Sequence, residues 1–219
     1  MALLLRLTIL SVIMTLICCK ALYNIQHHIY SFPDNKIPIS NESVVNVDYI
    51  CSGVIVQRDL VLTAAHCISD ENVDLITVIF SDSSSNKFDL RYIGKPGGSE
   101  DFAILIGDTG NRSYLPIAHS MPDPFSEIAH VGYSGTSRQW VTPGIYLGEF
   151  RYPFSGIYEF TAGCRVIPGD SGGAFINELG EVIGIAWGSY WPINVGVAFM
   201  APVENIKDKL NELDIKWER

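Results

Sequence analysis

A dozen short runs rich in Val, Ile, Tyr and Phe, each closed by turn residues, constrain this 219-residue chain more than any other feature. In the first half they fall at 44–49, 53–57, 60–63, 75–80, 88–92 and 102–106. In the second half they fall at 128–133, 145–150, 157–161, 173–176, 182–187 and 195–200, with Asn177-Glu178-Leu179-Gly180 reading as a hairpin turn. A polar, proline-containing stretch at 120–126 separates the two sets. Helical periodicity appears only at 203–213, where Val203, Ile206, Leu210 and Leu213 stand at i, i+3, i+7 and i+10. Strands this short bury a core by closing on one another. The expectation is an all-β fold: two six-stranded antiparallel β-barrels packed together, spanning 22–122 and 123–219, with a C-terminal α-helix.

Residues 1–21 depart from that pattern. Residues 1–19 hold no acid and one base, Arg6, followed by an apolar run at 7–17, and the small residues Cys19 and Ala21 are spaced for cleavage after Ala21. The run is short for a bilayer span, so 1–21 reads as a signal peptide. The mature chain is then expected to be secreted, extracellular and without stable membrane association. Cleavage removes Cys18 and Cys19 and leaves Cys51, Cys67 and Cys164, of which two should pair in an oxidising compartment. Asn41-Glu42-Ser43 and Asn111-Arg112-Ser113 are glycosylation sequons. The net charge of −9 is spread along the chain with no basic block, which argues against nucleic-acid binding. Asp70, Glu71 and Asp74 read as a solvated acidic turn rather than a calcium loop, and no metal or organic cofactor is expected.

Three segments carry chemistry: Thr63-Ala64-Ala65-His66-Cys67, Asp101-Phe102-Ala103-Ile104-Leu105 and Gly169-Asp170-Ser171-Gly172-Gly173. A serine hydroxyl is a poor nucleophile until a base takes its proton and a carboxylate orients that base. Ser171, His66 and Asp101 are the candidates for those roles. Glycines beside Ser171 let the backbone turn tightly, so that the Gly169 and Ser171 amides face one point as an oxyanion hole. Cys51 and Cys67 bracket two strand-like runs, and a disulfide between them would staple that pair beside His66. Each segment alone has an ordinary reading, as a structural histidine, a turn aspartate or a glycine-rich hairpin. Their ordered combination does not.

The same segments resemble the signature segments of the chymotrypsin/trypsin family of serine endopeptidases. Cys51-Ser52-Gly53 resembles the family's Cys-Gly-Gly, and Gly132-Tyr133-Ser134-Gly135 resembles its Gly-Trp-Gly. Gly184-Ile185-Ala186-Trp187-Gly188 is similar to the strand that binds substrate backbone, and Val195-Gly196-Val197 to the opposite pocket wall. The resemblance implies Ser171 as nucleophile, His66 as general base and acid, and Asp101 as the group that holds the histidine tautomer. It also implies a monomer that acts on polypeptide substrates and meets protein protease inhibitors.

Departures from the family pattern shape further expectations. No Ile-Val-Gly-Gly-like segment precedes Cys51, and Lys36-Ile37-Pro38-Ile39 lies too close to Cys51 to reach the Asp170 loop. Asp170 is therefore expected to have an internal partner, Arg138 first among the candidates, as in bacterial relatives. Cys164 precedes a bacterial-type Pro-Gly-Asp-Ser-Gly-Gly run without a mate at 189–194, and is expected to be free and buried. In the substrate pocket, Ala186, Trp187, Gly188 and Gly196 form the walls, with Ala162 and Gly163, or Arg165, near the base. Small residues there would admit a large apolar side chain, whereas an inward Arg165 would select an acidic one. Ala186 also replaces a serine hydroxyl that the family places near the catalytic aspartate. The first reading is a secreted serine endopeptidase working through an acyl-enzyme. The alternative is a weak or inactive homologue acting as a secreted binding or effector protein.

Overall fold

The computed structural model describes residues 40, 42–68, 74–133, 140–151, 158–189 and 196–217. Residues 1–21, expected to be a signal peptide, together with Asn41, Asp70, Glu71 and Arg138, lie outside those residues. The first six apolar runs become β1 (Val44–Val47), β2 (Cys51–Gln57), β3 (Leu60–Thr63), β4 (Leu75–Ile79), β5 (Ser85–Ile93) and β6 (Ala103–Ile106). They close into a barrel in the order β1-β2-β3-β6-β5-β4. The second set becomes β7 (Glu127–Gly132), β8 (Trp140–Arg151), β9 (Tyr158–Gly163), β10 (Ala174–Asn177), β11 (Val182–Ser189) and β12 (Val197–Pro202). These close in the order β7-β8-β9-β12-β11-β10, the same topology repeated. Closure gives every strand a neighbour on each side over part of its length, which limits exposed sheet edges.

Side-chain alternation distributes the core. In β5, Phe88 turns inward and is fully buried while Lys87 and Asp89 face solvent. In β7, Ala129 and Val131 belong to an apolar cluster shared by both barrels, whereas Ile128 clusters with Tyr146, Phe175 and Met200 within the second. Strand β2 is buried along almost its whole length, and its residues read as a continuous apolar run rather than an alternating one.

Two elements differ from the sequence reading. Strand β8 begins at Trp140 instead of near residue 145 and runs through Pro143. Proline is accommodated because Pro143 pairs only with Ala129 of β7, and pairing with β9 starts later, at Ile145 opposite Gly163. A missing N–H costs nothing on that unpaired side. The C-terminal helix spans Val203–Glu212 and buries Val203, Ile206 and Leu210. Leu213, the fourth apolar position, caps the helix and is 38% exposed, because the chain leaves through Asp214 at φ 53°.

Register is what positions the site. Thr63 pairs with Ala103, so the chain that leaves β3 toward His66 runs beside the chain that enters β6 from Asp101. Ala174 pairs with Ile185, and the Ala186 amide then donates to the Gly173 carbonyl at 2.8 Å. Asn111, in the second sequon, lies in an exposed turn. Because Phe88 fills the first barrel directly beneath Gly107, where a Cβ would meet its ring at 2.7 Å, Phe88→Ala should cost about 3–5 kcal/mol. Leu179→Ala, at a residue 72% exposed, should stay within about 0.5 kcal/mol of wild type. Urea unfolding of the two variants measures both values.

Candidate active site

His66 sits in a single 3₁₀ turn, Ala65–Cys67, directly after β3. Cys67 ends that turn and is disulfide-bonded to Cys51 at the start of β2, so the turn is tied to the neighbouring strand. Asp101 lies just before β6 and is 1% exposed. Its Oδ1 accepts the His66 backbone N–H at 3.0 Å, and its Oδ2 accepts the Gly97 N–H at 2.7 Å. His66 Nδ1 lies 3.1 Å from Oδ1 and 3.0 Å from Oδ2. A carboxylate facing Nδ1 assigns the proton to that nitrogen and leaves Nε2 as a lone-pair acceptor. Burial alone would raise the Asp101 carboxyl, but the His66 side chain, the Gly97 N–H and the His66 N–H more than offset it and hold the group below its usual range. The Gly97 amide thus anchors the aspartate, although the hydroxyl expected from the family pattern is replaced by Ala186. The His66 side chain is 34% exposed, leaving its far edge accessible.

The loop carrying Ser171 is built from two glycines in left-handed backbone, Gly169 at φ 96° and Gly172 at φ 85°. At Gly172 a Cβ would stand 2.0 Å from the Ser52 carbonyl and 2.3 Å from Thr63 Oγ1, so no side chain fits. The Gly172 amide donates to Ala186 O at 2.8 Å, Gly173 donates to Asp170 O at 2.9 Å, and Asp170 donates to Ile167 O at 3.0 Å. The Ser171 carbonyl accepts the Ser52 N–H at 2.8 Å and lies 3.7 Å from Cys67 Sγ. A His66 ring nitrogen lies within 4.8 Å of both disulfide sulfurs, so the serine loop and the histidine turn meet at this bridge. Those sulfurs are bonded to each other and offer no thiolate to a metal ion. Among the described residues, the Gly169 and Ser171 amides donate to no protein acceptor.

The residues read as pocket-forming are spread along β9, β11 and β12. Ala162 and Ala186 are fully buried in the second barrel, and Ala162 and Gly163 pair with Ala198 and Val197. Trp187 stacks on Phe199 at 5.1 Å, next to a register shift between Ala186 and Gly188. Gly196 holds φ 70°, with open space where a side chain would stand. Arg165 is exposed, whereas Val166 beside it is buried. Cys164 is free and buried; burial pushes its thiol up to about 12, and Sγ donates to Thr142 O at 3.3 Å. The Asp170 carboxylate is buried and accepts the Ile167 N–H at 2.9 Å.

Sequence reasoning overlooked His130. This fully enclosed residue of β7 meets Phe175 edge-on at 5.1 Å and lies under the serine loop, its Nε2 2.7 Å from where a Gly173 Cβ would be. Its one detectable signal was a histidine at an inward position of an apolar strand. Burial lowers it from 6.5 to about 4, against a smaller opposing influence from the Asp170 carbonyl. The unfolded chain therefore takes up this proton first on acidification. The contribution of neutral His130 is intact above about pH 6.5 and is lost as pH falls toward 4. Urea unfolding should show a decline on the order of 3 kcal/mol across that window, and His130→Gln should flatten it.

Comparison with known proteins places these features in context. A model of the trypsin-like peptidase domain matches residues 51–185. Serine endoprotease DegS of Escherichia coli K12 is 30% identical over 172 residues, covering 73% of this chain and 47% of that protein. The periplasmic serine endoprotease DegP of the same strain is 29% identical over 170 residues, covering 74% of this chain and 35% of that protein. The chain thus spans about a third to a half of the length of the curated relatives it matches. In fold, it is similar to the crystal structure of the serine endoprotease from Yersinia pestis, with TM-score 0.65, 24% identity, and coverage of 81% of this chain and 67% of that one. The matched span runs from the first cysteine of the disulfide through the strand behind the serine loop, and on that match the chain belongs to the trypsin-like peptidase domain family.

Proposed function

We propose that this chain is a secreted serine endopeptidase that hydrolyses peptide bonds through a covalent acyl-enzyme. The observation that carries the reading is the buried Asp101 carboxylate against His66 Nδ1 at 3.0 Å, in a chain whose Ser171 is flanked by two unengaged amides. In this mechanism Ser171 Oγ attacks the scissile carbonyl carbon while His66 Nε2 takes its proton. The resulting oxyanion is received by the Gly169 and Ser171 N–H groups. Collapse of the intermediate breaks the C–N bond, and His66 returns the proton to the leaving amine. A water molecule, deprotonated by the same nitrogen, then releases the acyl group. Asp101 stays ionised throughout and stabilises the imidazolium. Neither a metal nor an organic cofactor enters these steps.

Side-chain selection follows from the surroundings of the loop. With Arg165 exposed and Ala162, Val166 and Ala186 buried, an apolar residue before the cut is the preferred fit. Export from the cytoplasm is supported by the leader at 1–21, by a disulfide suited to an oxidising compartment, and by relatives named as periplasmic. The substrates are polypeptides, protein protease inhibitors are the natural antagonists, and the working form is a monomer.

Fluorophosphonate labelling of the secreted protein tests the nucleophile. Wild type should label at one residue and Ser171→Ala should not; a folded wild type that stays unlabelled would instead make the chain a binding protein. Asp101→Asn should keep the fold and lower peptide turnover by about ten-thousandfold, because an amide can hold His66 in the wrong tautomer. Hydrolysis of a fluorogenic peptide with an apolar residue before the cut measures it.

A further inference from the structure

Ser52 of β2 belongs to the first barrel, yet it is bonded to the nucleophile loop at two places. Its N–H donates to Ser171 O at 2.8 Å, and its Oγ donates to Gly169 O at 2.7 Å while accepting the Tyr133 N–H at 2.6 Å. Its own carbonyl accepts Thr63 Oγ1 at 2.7 Å. Ser52 is fully buried, so each of these groups would be orphaned if its partner were lost.

The pattern matters because of which peptide units are held. The unit between Gly169 and Asp170 is fixed at both ends, its N–H by Ile167 O and its C=O by the Ser52 hydroxyl. The unit between Ser171 and Gly172 is likewise fixed at both ends, its N–H by Ala186 O and its C=O by the Ser52 amide. These units directly follow the Gly169 and Ser171 N–H groups. A peptide is planar, so clamping the unit after each amide restricts the rotation that would turn that amide away. Gly169 has most need of this restraint, since glycine at φ 96° crosses readily to other backbone wells.

We propose that Ser52 is a positioning residue for the oxyanion hole: its hydroxyl locks the Gly169–Asp170 peptide so that the Gly169 N–H faces the reacting carbonyl. The inference rests on the serine-nucleophile reading above. The bond that the Ser52 hydroxyl accepts from the Tyr133 N–H extends the clamp to the residue just after β7 and ties the two barrels at this point.

The test is the rate of fluorophosphonate labelling, resolved into kinact and KI, for wild type, Ser52→Ala and Ser52→Thr, with thermal unfolding of each. Ser52→Ala should lose about 10- to 100-fold in kinact, part of the effect of removing an oxyanion donor outright. Its KI should stay within about twofold, since docking of the reagent does not depend on the oxyanion. Ser52→Thr keeps the hydroxyl and should recover kinact to within about threefold. If Ser52→Ala does not fold, Ser52→Gly is read in its place against the same expectations. A folded alanine or glycine variant with wild-type kinact would overturn the proposal, as would a folded threonine variant as slow as alanine. Wild type that never labels would overturn the nucleophile reading itself, and this inference with it.

Discussion

Everything at the candidate site depends on one close approach between the barrels: Gly172, from the second, lies against the Ser52 carbonyl and Thr63 hydroxyl of the first. Around that contact the Ser52 N–H reaches Ser171 O, and Cys67 Sγ stands 3.7 Å from the same oxygen. Neither barrel alone carries all three candidate residues. His66 and Asp101 come from the first, and Ser171 with its two open amides from the second. Docking of the barrels is what brings these candidates to one place, and Gly172 is what permits docking at this distance. A buried apolar cluster that includes Val54 and Leu62 together with Val131 and Ile185 supplies the non-directional part of the same attachment.

Electrostatics then sets the roles of the buried polar groups. Asp101 is kept ionised in a place where burial opposes charge, because its donors converge on it from His66 and Gly97. His130 and Cys164 go the other way: enclosed beside apolar side chains such as Phe175, they are held in their neutral forms by burial. A buried carboxylate kept ionised beside His66 thus stands apart from buried groups whose neutral forms are favoured.

Much of this was legible in the sequence, and the reasons are specific. Strands β3 and β6 are short, apolar and flanked by turn residues, so period and punctuation agreed, and their pairing brought His66 to Asp101 as the order of the motifs implied. The sequence reading of β8 began near residue 145, whereas the strand starts at Trp140 and runs through Pro143, which pairs with β7 alone. Ser52 stood in a recognised Cys-Ser-Gly segment without a role; its partners lie across the molecule, at Gly169 and Tyr133, and no spacing along the chain announces them. Gly97 as an anchor for Asp101 was hidden likewise in a glycine-rich loop. Tertiary hydrogen bonds between backbone groups carry no residue-type signal, and that is where sequence reading stops.

The most direct measurement is a crystal structure of the protein after reaction with a fluorophosphonate. The account predicts phosphorus bonded to Ser171 Oγ, with the phosphoryl oxygen about 2.7–3.1 Å from both the Gly169 and Ser171 nitrogens and His66 still held by Asp101. A phosphonyl group on another residue, or on Ser171 with its oxygen turned away from those amides, would contradict it.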